Sequence, residues 1–147
     1  MTDTDTIKVT WGELADNGGD EVISYSLEID DGMGGDFNPV VGYSTDYLLF
    51  FYTHEGVTRG TNYRLRYRAK NRIGWSEYSN IVYVLAATKP QKPPAPTLQS
   101  TDSTSITLNL LQTLDNGGSP IIRYKLYVDA GDNFNSEYSQ ISGYESF

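Results

Sequence analysis

Residues 57–71 decide the fold of this chain, and they read Val57-Thr-Arg-Gly-Thr-Asn-Tyr-Arg-Leu-Arg-Tyr-Arg-Ala-Lys-Asn71. From Tyr63 to Ala69, aromatic or aliphatic residues alternate with arginines. Successive side chains of a β-strand point to opposite faces, so a period of two predicts a strand with one apolar and one basic face. The quoted stretch therefore predicts a strand that covers a core on one side only.

Shorter runs with the same period lie elsewhere in the chain. Residues 7–11 alternate Ile, Val and Trp with polar residues, and residues 25–29 alternate Tyr, Leu and Ile with Ser and Glu. Glycine-rich turns separate such runs at residues 16–19 and 31–35. No segment keeps a helical period. Short strands at this spacing, without helices, predict an all-β antiparallel sandwich or barrel.

The sequence also repeats itself. Residues 6–11 align with 105–110, residues 16–19 with 115–118, and residues 25–30 with 124–129, all at one offset, 110 − 11 = 99. Gly42-Tyr43 recurs as Gly143-Tyr144, at 143 − 42 = 101. Such a period is typical of a whole domain with its linker and is too long for one unit of a solenoid.

A proline-rich stretch lies between the two copies. Residues 88–96 read Thr88-Lys-Pro-Gln-Lys-Pro-Pro-Ala-Pro96. Proline lacks the N–H that a central strand donates, so this stretch predicts an extended, semi-rigid linker. The expected organisation is a first domain at residues 1–87, a linker at 88–96 and a second copy at 97–147.

These motifs resemble fibronectin type III modules. The resemblance rests on Trp11 in an early strand, on Asp115-Asn-Gly-Gly-Ser-Pro-Ile-Ile-Arg-Tyr124 ahead of a later one, and on residues 57–71. It implies seven-stranded, antiparallel Greek-key β-sandwiches of the immunoglobulin-like kind, arranged in tandem. It also implies that Trp11, Tyr25 and Tyr63 are core residues, with the Tyr63 hydroxyl bonded to the backbone upstream.

The resemblance also concerns the number of strands in each copy. Only five residues, four of them polar, precede Thr6, so the first copy is expected to lack its first strand. The second copy is expected to contain about four strands, the first of them near Leu98. We expect either that the chain is cut from a longer array or that a partner supplies the missing strands.

A further resemblance concerns Trp75-Ser-Glu-Tyr-Ser79, which is similar to the Trp-Ser-x-Trp-Ser box of cytokine-receptor modules, with Tyr78 replacing the second Trp. It implies that the two aromatic rings interleave with guanidinium groups of the preceding strand. The residues expected to form this ladder and its box are Arg64, Arg66, Arg68, Trp75, Ser76, Tyr78 and Ser79. The alternatives are a partner-binding stripe and an anion or nucleic-acid patch.

Composition limits the possible partners. The net charge of −8 argues against nucleic acid and anionic lipid surfaces. The absence of cysteine excludes disulfides and thiolate zinc sites. No apolar run reaches membrane-spanning length, so we expect no membrane insertion, and the polar N-terminus is unlike a signal peptide. These features favour an intracellular location over an extracellular one. The Asp115-Asn-Gly-Gly-Ser-Pro-Ile121 turn is similar to turns in modules of giant muscle proteins and of ciliary repeat proteins, which implies the cytoskeleton or a cilium.

An apolar run, Tyr47-Leu-Leu-Phe-Phe-Tyr52, stands out because it does not alternate. A strand buried on one face only would alternate, so the second face is expected to meet the linker, a neighbouring module or an external partner. The residues concerned are Tyr47, Leu49, Phe50, Phe51 and Tyr52.

Acidic clusters lie at Asp30, Asp31 and Asp36 and at Asp129, Asp132 and Glu137. Their spacing fits no calcium loop, and Phe134 stands where the EF-hand pattern needs Gly, so solvated turns are expected, with a calcium site as the alternative. His54 is the only histidine, and it is expected in a surface turn without a nucleophile beside it. The sequence thus predicts no catalytic residue, metal ligand or cofactor.

The sequence predicts a non-enzymatic structural or protein-interaction module of a larger tandem-repeat protein, with other modules or neighbouring repeats as partners. An extracellular adhesion or receptor ectodomain is an alternative, as is an accessory module of a carbohydrate-active enzyme, because a fold does not determine a function.

Overall fold

A computed structural model describes residues 2–3, 6–129, 131 and 137–145. Every regular element in this described part of the chain is a β-strand, and every strand pair is antiparallel, which confirms the expected fold class. The chain divides into two compact units, Met1–Lys89 and Pro90–Phe147, called unit 1 and unit 2 below.

Unit 1 contains seven described strands. They are β1 (Thr2–Asp3), β2 (Thr6–Thr10), β3 (Ser24–Ile29), β4 (Asn38–Val41), β5 (Phe51–Glu55), β6 (Asn62–Lys70) and β7 (Val82–Leu85). They form a three-stranded sheet in the order β1-β2-β5 and a four-stranded sheet in the order β4-β3-β6-β7. The chain thus changes sheet between β2 and β3, between β4 and β5 and between β5 and β6, as in a Greek-key sandwich.

The core of unit 1 draws side chains from both sheets. Ile7 of β2 packs with Leu27 of β3 and Leu65 of β6, and each is at most 3% exposed. The alternation of β6 has the expected direction, because Tyr63, Leu65 and Ala69 are buried while the intervening basic residues face outward. The two sheets therefore form two layers around one apolar core.

The third strand departs from the expected alternation. All six residues of β3 are buried, including Ser24, Ser26 and Glu28 on the face away from the core. Its neighbours β4 and β6 cover its two edges, and further side chains cover its outer face, as described below. The period of two in residues 25–29 predicted that one face of β3 is exposed. That prediction is wrong for this central strand.

Gly42 closes the turn after β4. Its φ of +76° is the left-handed conformation that favours glycine, and a Cβ there would lie 1.7 Å from the Tyr25 carbonyl oxygen. Only glycine fits this contact, which gives a physical reason for the glycine at position 42.

The first copy does not lack its first strand entirely. β1 pairs with β2, with Thr2 opposite Ile7 and Asp3 opposite Thr6. Backbone hydrogen bonds form this pair, and polar residues supply them as readily as apolar ones do. The expectation that the first copy lacks its first strand rested on the short segment before Thr6, and two residues of that segment form this short strand.

Unit 2 contains four described strands: β8 (Thr97–Thr101), β9 (Ile106–Asn109), β10 (Arg123–Val128) and β11 (Ser139–Glu145). They pair as two separate hairpin-like sheets, β8-β9 and β10-β11. Leu98 lies in β8. The β8-β9 pair places Thr101 opposite Ile106, which is the register of Thr2 and Ile7 shifted by the repeat offset of 99.

Candidate functional site

The segment after β6 folds back along that strand. The Ser76 N–H donates to the Ala69 carbonyl (2.8 Å), and the Ala69 N–H donates to Ser76 Oγ (3.1 Å). Ser79 makes the same two bonds with Tyr67, at 2.8 and 3.1 Å. β7 pairs with β6 only from Asn62 to Leu65, so these serines take over the pairing where β7 ends.

This segment positions a stack of cations and aromatic rings on the outer face of β6, called the cation–aromatic ladder below. Its order is Lys70, Trp75, Arg68, Tyr78, Arg66, Phe37 and Arg64. The Arg66 Cζ atom lies 3.9 Å from the Tyr78 ring centroid and 4.2 Å from that of Phe37. Arg68 lies 4.6 Å from Trp75 and 4.5 Å from Tyr78. Each such contact contributes about 0.5–2 kcal/mol, depending on desolvation.

Two carboxylates bind side chains of the ladder: Glu28 in β3, and Asp30 in the turn after it. Arg66 Nη2 lies 2.7 Å from Glu28 Oε2, and the Tyr78 hydroxyl donates to Glu28 Oε1 at 2.6 Å. Arg64 Nε lies 2.7 Å from Asp30 Oδ2. Burial raises the pKa of the Tyr78 hydroxyl, and its hydrogen bond to Glu28 raises it further.

Several hydrogen bonds hold the carboxylate of Asp30. Burial alone would raise the pKa of its carboxyl, but hydrogen bonds from the Arg64 N–H, the Arg64 side chain and the Gly32 N–H outweigh that effect. The pKa of Asp30 therefore lies below its ordinary value. Asp30 is only 4% exposed, and its carboxyl stays ionised because these three hydrogen bonds compensate for its lost hydration.

The structure brings most of the expected ladder together and changes one part. Arg66 and Arg68 lie against the box aromatics, whereas Arg64 lies 5.0 Å from the Phe37 ring and pairs with Asp30. The expectation that Arg64 contacts Trp75 or Tyr78 is wrong, because Arg64 lies four residues before Arg68, at the far end of the strand's outer face.

The sequence analysis did not identify two residues of this site, Phe37 and Glu28. Phe37 follows a glycine-rich turn, with no pattern linking it to β6, and Glu28 has the appearance of an exposed residue in an alternating strand. One signal could have identified Glu28. It lies opposite Arg66 on the adjacent strand β6, so an acidic and a basic side chain pair across the two strands. Ser26 stands opposite Arg68, and in the described part of the chain neither Ser26 Oγ nor Arg68 Nε has a hydrogen-bond partner.

The resemblance to fibronectin type III modules implied that Trp11, Tyr25 and Tyr63 are core residues, and all three lie in unit 1. Trp11 follows β2, and its ring centroid lies 6.0–6.2 Å from those of Tyr25, Tyr47 and Tyr67. The Tyr63 hydroxyl accepts the Thr58 N–H at 2.9 Å, five residues upstream. That bond has the geometry of a tyrosine corner.

The apolar run lies at the start of β5 and just before it. Leu49, Phe50 and Phe51 are 54%, 39% and 45% exposed. Tyr47 and Tyr52 are only half-buried, and the Tyr47 hydroxyl donates to the Phe51 carbonyl. The run therefore presents apolar surface to solvent, and its role as a contact surface stays a prediction.

The acidic residues have different environments. Asp30 is buried and ion-paired, so the expectation of a solvated residue is wrong there, because Arg64 lies on the adjacent strand. Asp31 accepts the Met33 N–H in an exposed turn. Asp132 and Phe134 lie outside the described residues. Among those the structure describes, no three acidic or histidine side chains come together as a metal site.

His54 lies in β5, opposite Ile7, and the surface turn expected for it is wrong. Its side chain is half-buried, and that burial lowers the pKa of the imidazole. The described residues also include no helix that is long and apolar enough to cross a bilayer.

The two sheets of unit 1, its tyrosine corner and the register that it shares with unit 2 define an all-β fold of the fibronectin type III and immunoglobulin-like class. Comparison with known proteins supports this class. The chain is 31% identical over 140 residues, 93% of its length, to fibronectin type-III domain-containing protein 3a of Gallus gallus. It is 26% identical over 149 residues, 97% of its length, to the titin homolog of Caenorhabditis elegans.

A solved structure shows the same likeness. The twitchin kinase region from C. elegans (Fn31-NL-kin-CRD-Ig26) matches 58% of this chain with a TM-score of 0.50 and 26% identity. The chain spans 11% of the chicken relative, 1% of the nematode relative and 15% of the twitchin chain. No protein-family model matches the chain. Each of these three proteins is much longer than the part that this chain matches.

Proposed function

We propose that this chain is a non-catalytic scaffold segment of a larger tandem-repeat protein, of the cytoskeletal kind. One observation carries the proposal: a sequence repeat at an offset of 99 recurs as the same strand register in both units. Similarity to the titin homolog and to the chicken protein extends over 97% and 93% of the chain, and so includes both copies. The boundaries proposed are residues 1–87, 88–96 and 97–147.

The cation–aromatic ladder supports a structural role for the basic residues of β6. Arg64 and Arg66 are ion-paired with buried carboxylates, and Arg68 lies between two aromatic rings. Guanidinium groups held in this way are not available to phosphates, so the patch is proposed as an internal support of the sandwich. Its contacts connect β3, β6 and the segment after β6 on the outer face of the four-stranded sheet. We expect these contacts to oppose the separation of β3 from β6.

The partners proposed are other protein modules or neighbouring repeats. The exposed apolar side chains of Leu49, Phe50 and Phe51 form the surface proposed for such contacts, because contiguous apolar surface is typical of interaction sites. Nucleic acid is not proposed, because the net charge is −8.

A scaffold segment under tension should unfold in a discrete step, and single-molecule pulling tests this. The chain would be placed between marker domains of known unfolding length. Unit 1 should give one cooperative event that releases on the order of 25–30 nm of chain, from the reach of an extended polypeptide. Leu27→Ala, in the core, should lower the unfolding force, whereas Ile73→Ala at an 88% exposed position should not. Gradual extension without an event for unit 1 would rule out this role.

A further inference from the structure

Asparagine followed by glycine occurs twice in the chain, at Asn17-Gly18 and at Asn116-Gly117. In this dipeptide the backbone nitrogen of the glycine can attack the side-chain amide carbon of the asparagine, because glycine has no Cβ to hinder the approach. Both asparagines are exposed, and both lie in the Asp-Asn-Gly-Gly turns that the two units share. Each turn therefore contains the atoms that spontaneous deamidation requires.

Deamidation at Asn17 is an intramolecular acyl transfer. The Gly18 nitrogen loses its proton and forms a bond to Asn17 Cγ, the Cγ–Nδ2 bond breaks, and Nδ2 takes up a proton and leaves as ammonia. Water then opens the cyclic imide at either carbonyl, which gives aspartate or isoaspartate. The attack requires a deprotonated nitrogen, so an interaction that stabilises the neutral Gly18 N–H slows the reaction.

The residue before each asparagine binds the reacting N–H. The Gly18 N–H donates to Asp16 Oδ1, and the Gly117 N–H donates to Asp115 Oδ1, at 2.8 Å in both units. This charge-assisted hydrogen bond is lost when the nitrogen loses its proton. The nitrogen anion would also lie beside a carboxylate of the same charge, which raises its energy further.

The asparagine side chain makes a second hydrogen bond. Asn17 Oδ1 accepts the Gly19 N–H and Asn116 Oδ1 accepts the Gly118 N–H, at 3.0 Å in both units. Because this bond polarises the side-chain carbonyl and would stabilise the negative charge that develops on Oδ1 during the attack, it favours the reaction. Of the two bonds, the one to the aspartate is therefore the one that opposes deamidation.

From this geometry, we propose that Asn17 and Asn116 are deamidation sites, and that Asp16 and Asp115 keep them unreactive by binding the glycine N–H. Asn71 Nδ2 donates to the Asn17 carbonyl at 3.1 Å. Isoaspartate would add a carbon atom to the main chain and displace that contact, so the aspartate preserves the turn. The proposal gives the repeated turn a chemical role and does not depend on the scaffold role.

Mass spectrometry of the whole chain tests the proposal. The chain would be incubated at mildly alkaline pH and digested, and the replacement of the amide NH₂ by OH would be measured at each asparagine. Asp16→Ala should accelerate deamidation of Asn17 at least about fivefold, because a hydrogen bond to a charged group is lost. The rate at Asn116 in the same molecules should change by less than about twofold, because that site is independent. Asp115→Ala should have the reverse effect.

Two further variants separate the carboxylate from general loosening of the turn. Asp20 accepts the Arg72 N–H at 3.0 Å, so Asp20→Ala removes a different bond of the same segment and should change the rate at Asn17 by less than about twofold. Asp16→Ser keeps a hydrogen-bond acceptor without the charge and should give an intermediate rate. Melting curves check that each variant remains folded.

Three outcomes would overturn the proposal. Slower deamidation in Asp16→Ala would mean that the carboxylate accepts the Gly18 proton as a general base. Equal acceleration by Asp16→Ala and Asp20→Ala would mean that any loosening of the turn is sufficient. An unchanged rate at Asn17 in Asp16→Ala, including no reaction at all, would mean that another part of the fold protects this site. None of these outcomes would alter the pulling experiment, so the two proposals fail separately.

Discussion

Units 1 and 2 contain the same turns but bury their side chains very differently. Asp16 and Asp115 each accept the N–H two residues later at 2.8 Å, and the Gly18 and Gly117 φ angles are 72° and 74°. Ile7 is 2% exposed, however, whereas its counterpart Ile106 is 69% exposed. Local geometry is thus conserved between the copies, and burial is not.

The difference shows which part of the fold is encoded locally. An Asp-Asn-Gly-Gly turn forms from its own side chains and glycine conformations, so it is the same in both copies. Ile7 is buried because β3, β6 and Val57 close over it, and these are contributions from distant sequence. In unit 2, the described strands β8 to β11 leave Ile106 and Val128 69% and 43% exposed. Turns therefore depend on neighbouring residues, and cores depend on the complete set of strands.

The largest effect should come from the matched pair Leu27→Ala and Leu126→Ala. Leu27 is 2% exposed in a closed core, so its truncation should lower the free energy of unfolding of unit 1 by about 2–5 kcal/mol. Leu126 is only half-buried, so the same change should cost less than half as much. Denaturant titration of the whole chain, followed by the fluorescence of Trp11 and Trp75 and by resolved NMR signals of each unit, would measure both.

Equal losses for the two leucine variants would contradict this comparison, because they would mean that unit 2 has a closed core like that of unit 1. Leu114→Ala, at a 96% exposed position of unit 2, serves as the control and should change stability by less than about 0.5 kcal/mol.

The second effect concerns the ladder, which involves only residues of unit 1. Trp75→Ala should destabilise unit 1 by about 2–4 kcal/mol, through lost burial and the loss of stacking on Arg68. Thermal melting monitored by unit-specific NMR signals should show a lower melting temperature for unit 1 and an unchanged melting temperature for unit 2. An unchanged melting temperature would show that the ladder does not stabilise the sandwich.

Much of unit 1 could be predicted from its sequence. The alternation from Tyr63 to Ala69 indicated the longest strand and its inward face, and Trp75 with its following serines indicated the fold-back onto β6. These features are local or rest on a recognisable motif. The repeat similarly indicated where unit 2 forms its turns.

The rest depends on contacts between distant residues. Burial of Glu28 and Asp30 follows from arginines that lie more than thirty positions later, and no pattern around either acid shows it. Phe37 enters the ladder because the turn after β3 places it above Arg66. β1 was missed for a different reason, since a two-residue strand is too short to show a period.

The third effect uses the matched acids Asp30 and Asp129. Each accepts the N–H of the glycine two residues later, at 3.1 and 3.0 Å, and Asp30 in addition forms an ion pair with Arg64. Asp30→Asn keeps the turn bond and loses the ion pair, so it should destabilise unit 1 by about 1–3 kcal/mol at pH 7. Asp129→Asn should have a smaller effect on unit 2.

The pH dependence of the Asp30 effect has a definite sign. The folded-state pKa of Asp30 is lowered, so its contribution is fully present above the unfolded value of about 3.9 and is lost as pH falls through the lower folded value. Urea midpoints of the wild type and Asp30→Asn should therefore converge as the pH is lowered from 5 to 2. A constant difference over that range would mean that the carboxylate charge makes no contribution.

The smallest effect concerns Asp102, in the exposed turn between β8 and β9. Hydrogen bonds from the Thr104 N–H, the Ser105 hydroxyl, the Thr104 hydroxyl and the Ser105 N–H lower the pKa of its carboxyl to about 2. Ser105→Ala removes one donor and should raise the titration midpoint, as measured by carboxyl ¹³C NMR. Because these bonds are local, the low pKa of Asp102 should persist in Leu126→Ala, even where that variant loosens unit 2. A midpoint that rises toward about 3.9 in Leu126→Ala would show instead that the turn requires the rest of the unit, and the division between local turns and distant cores would not hold.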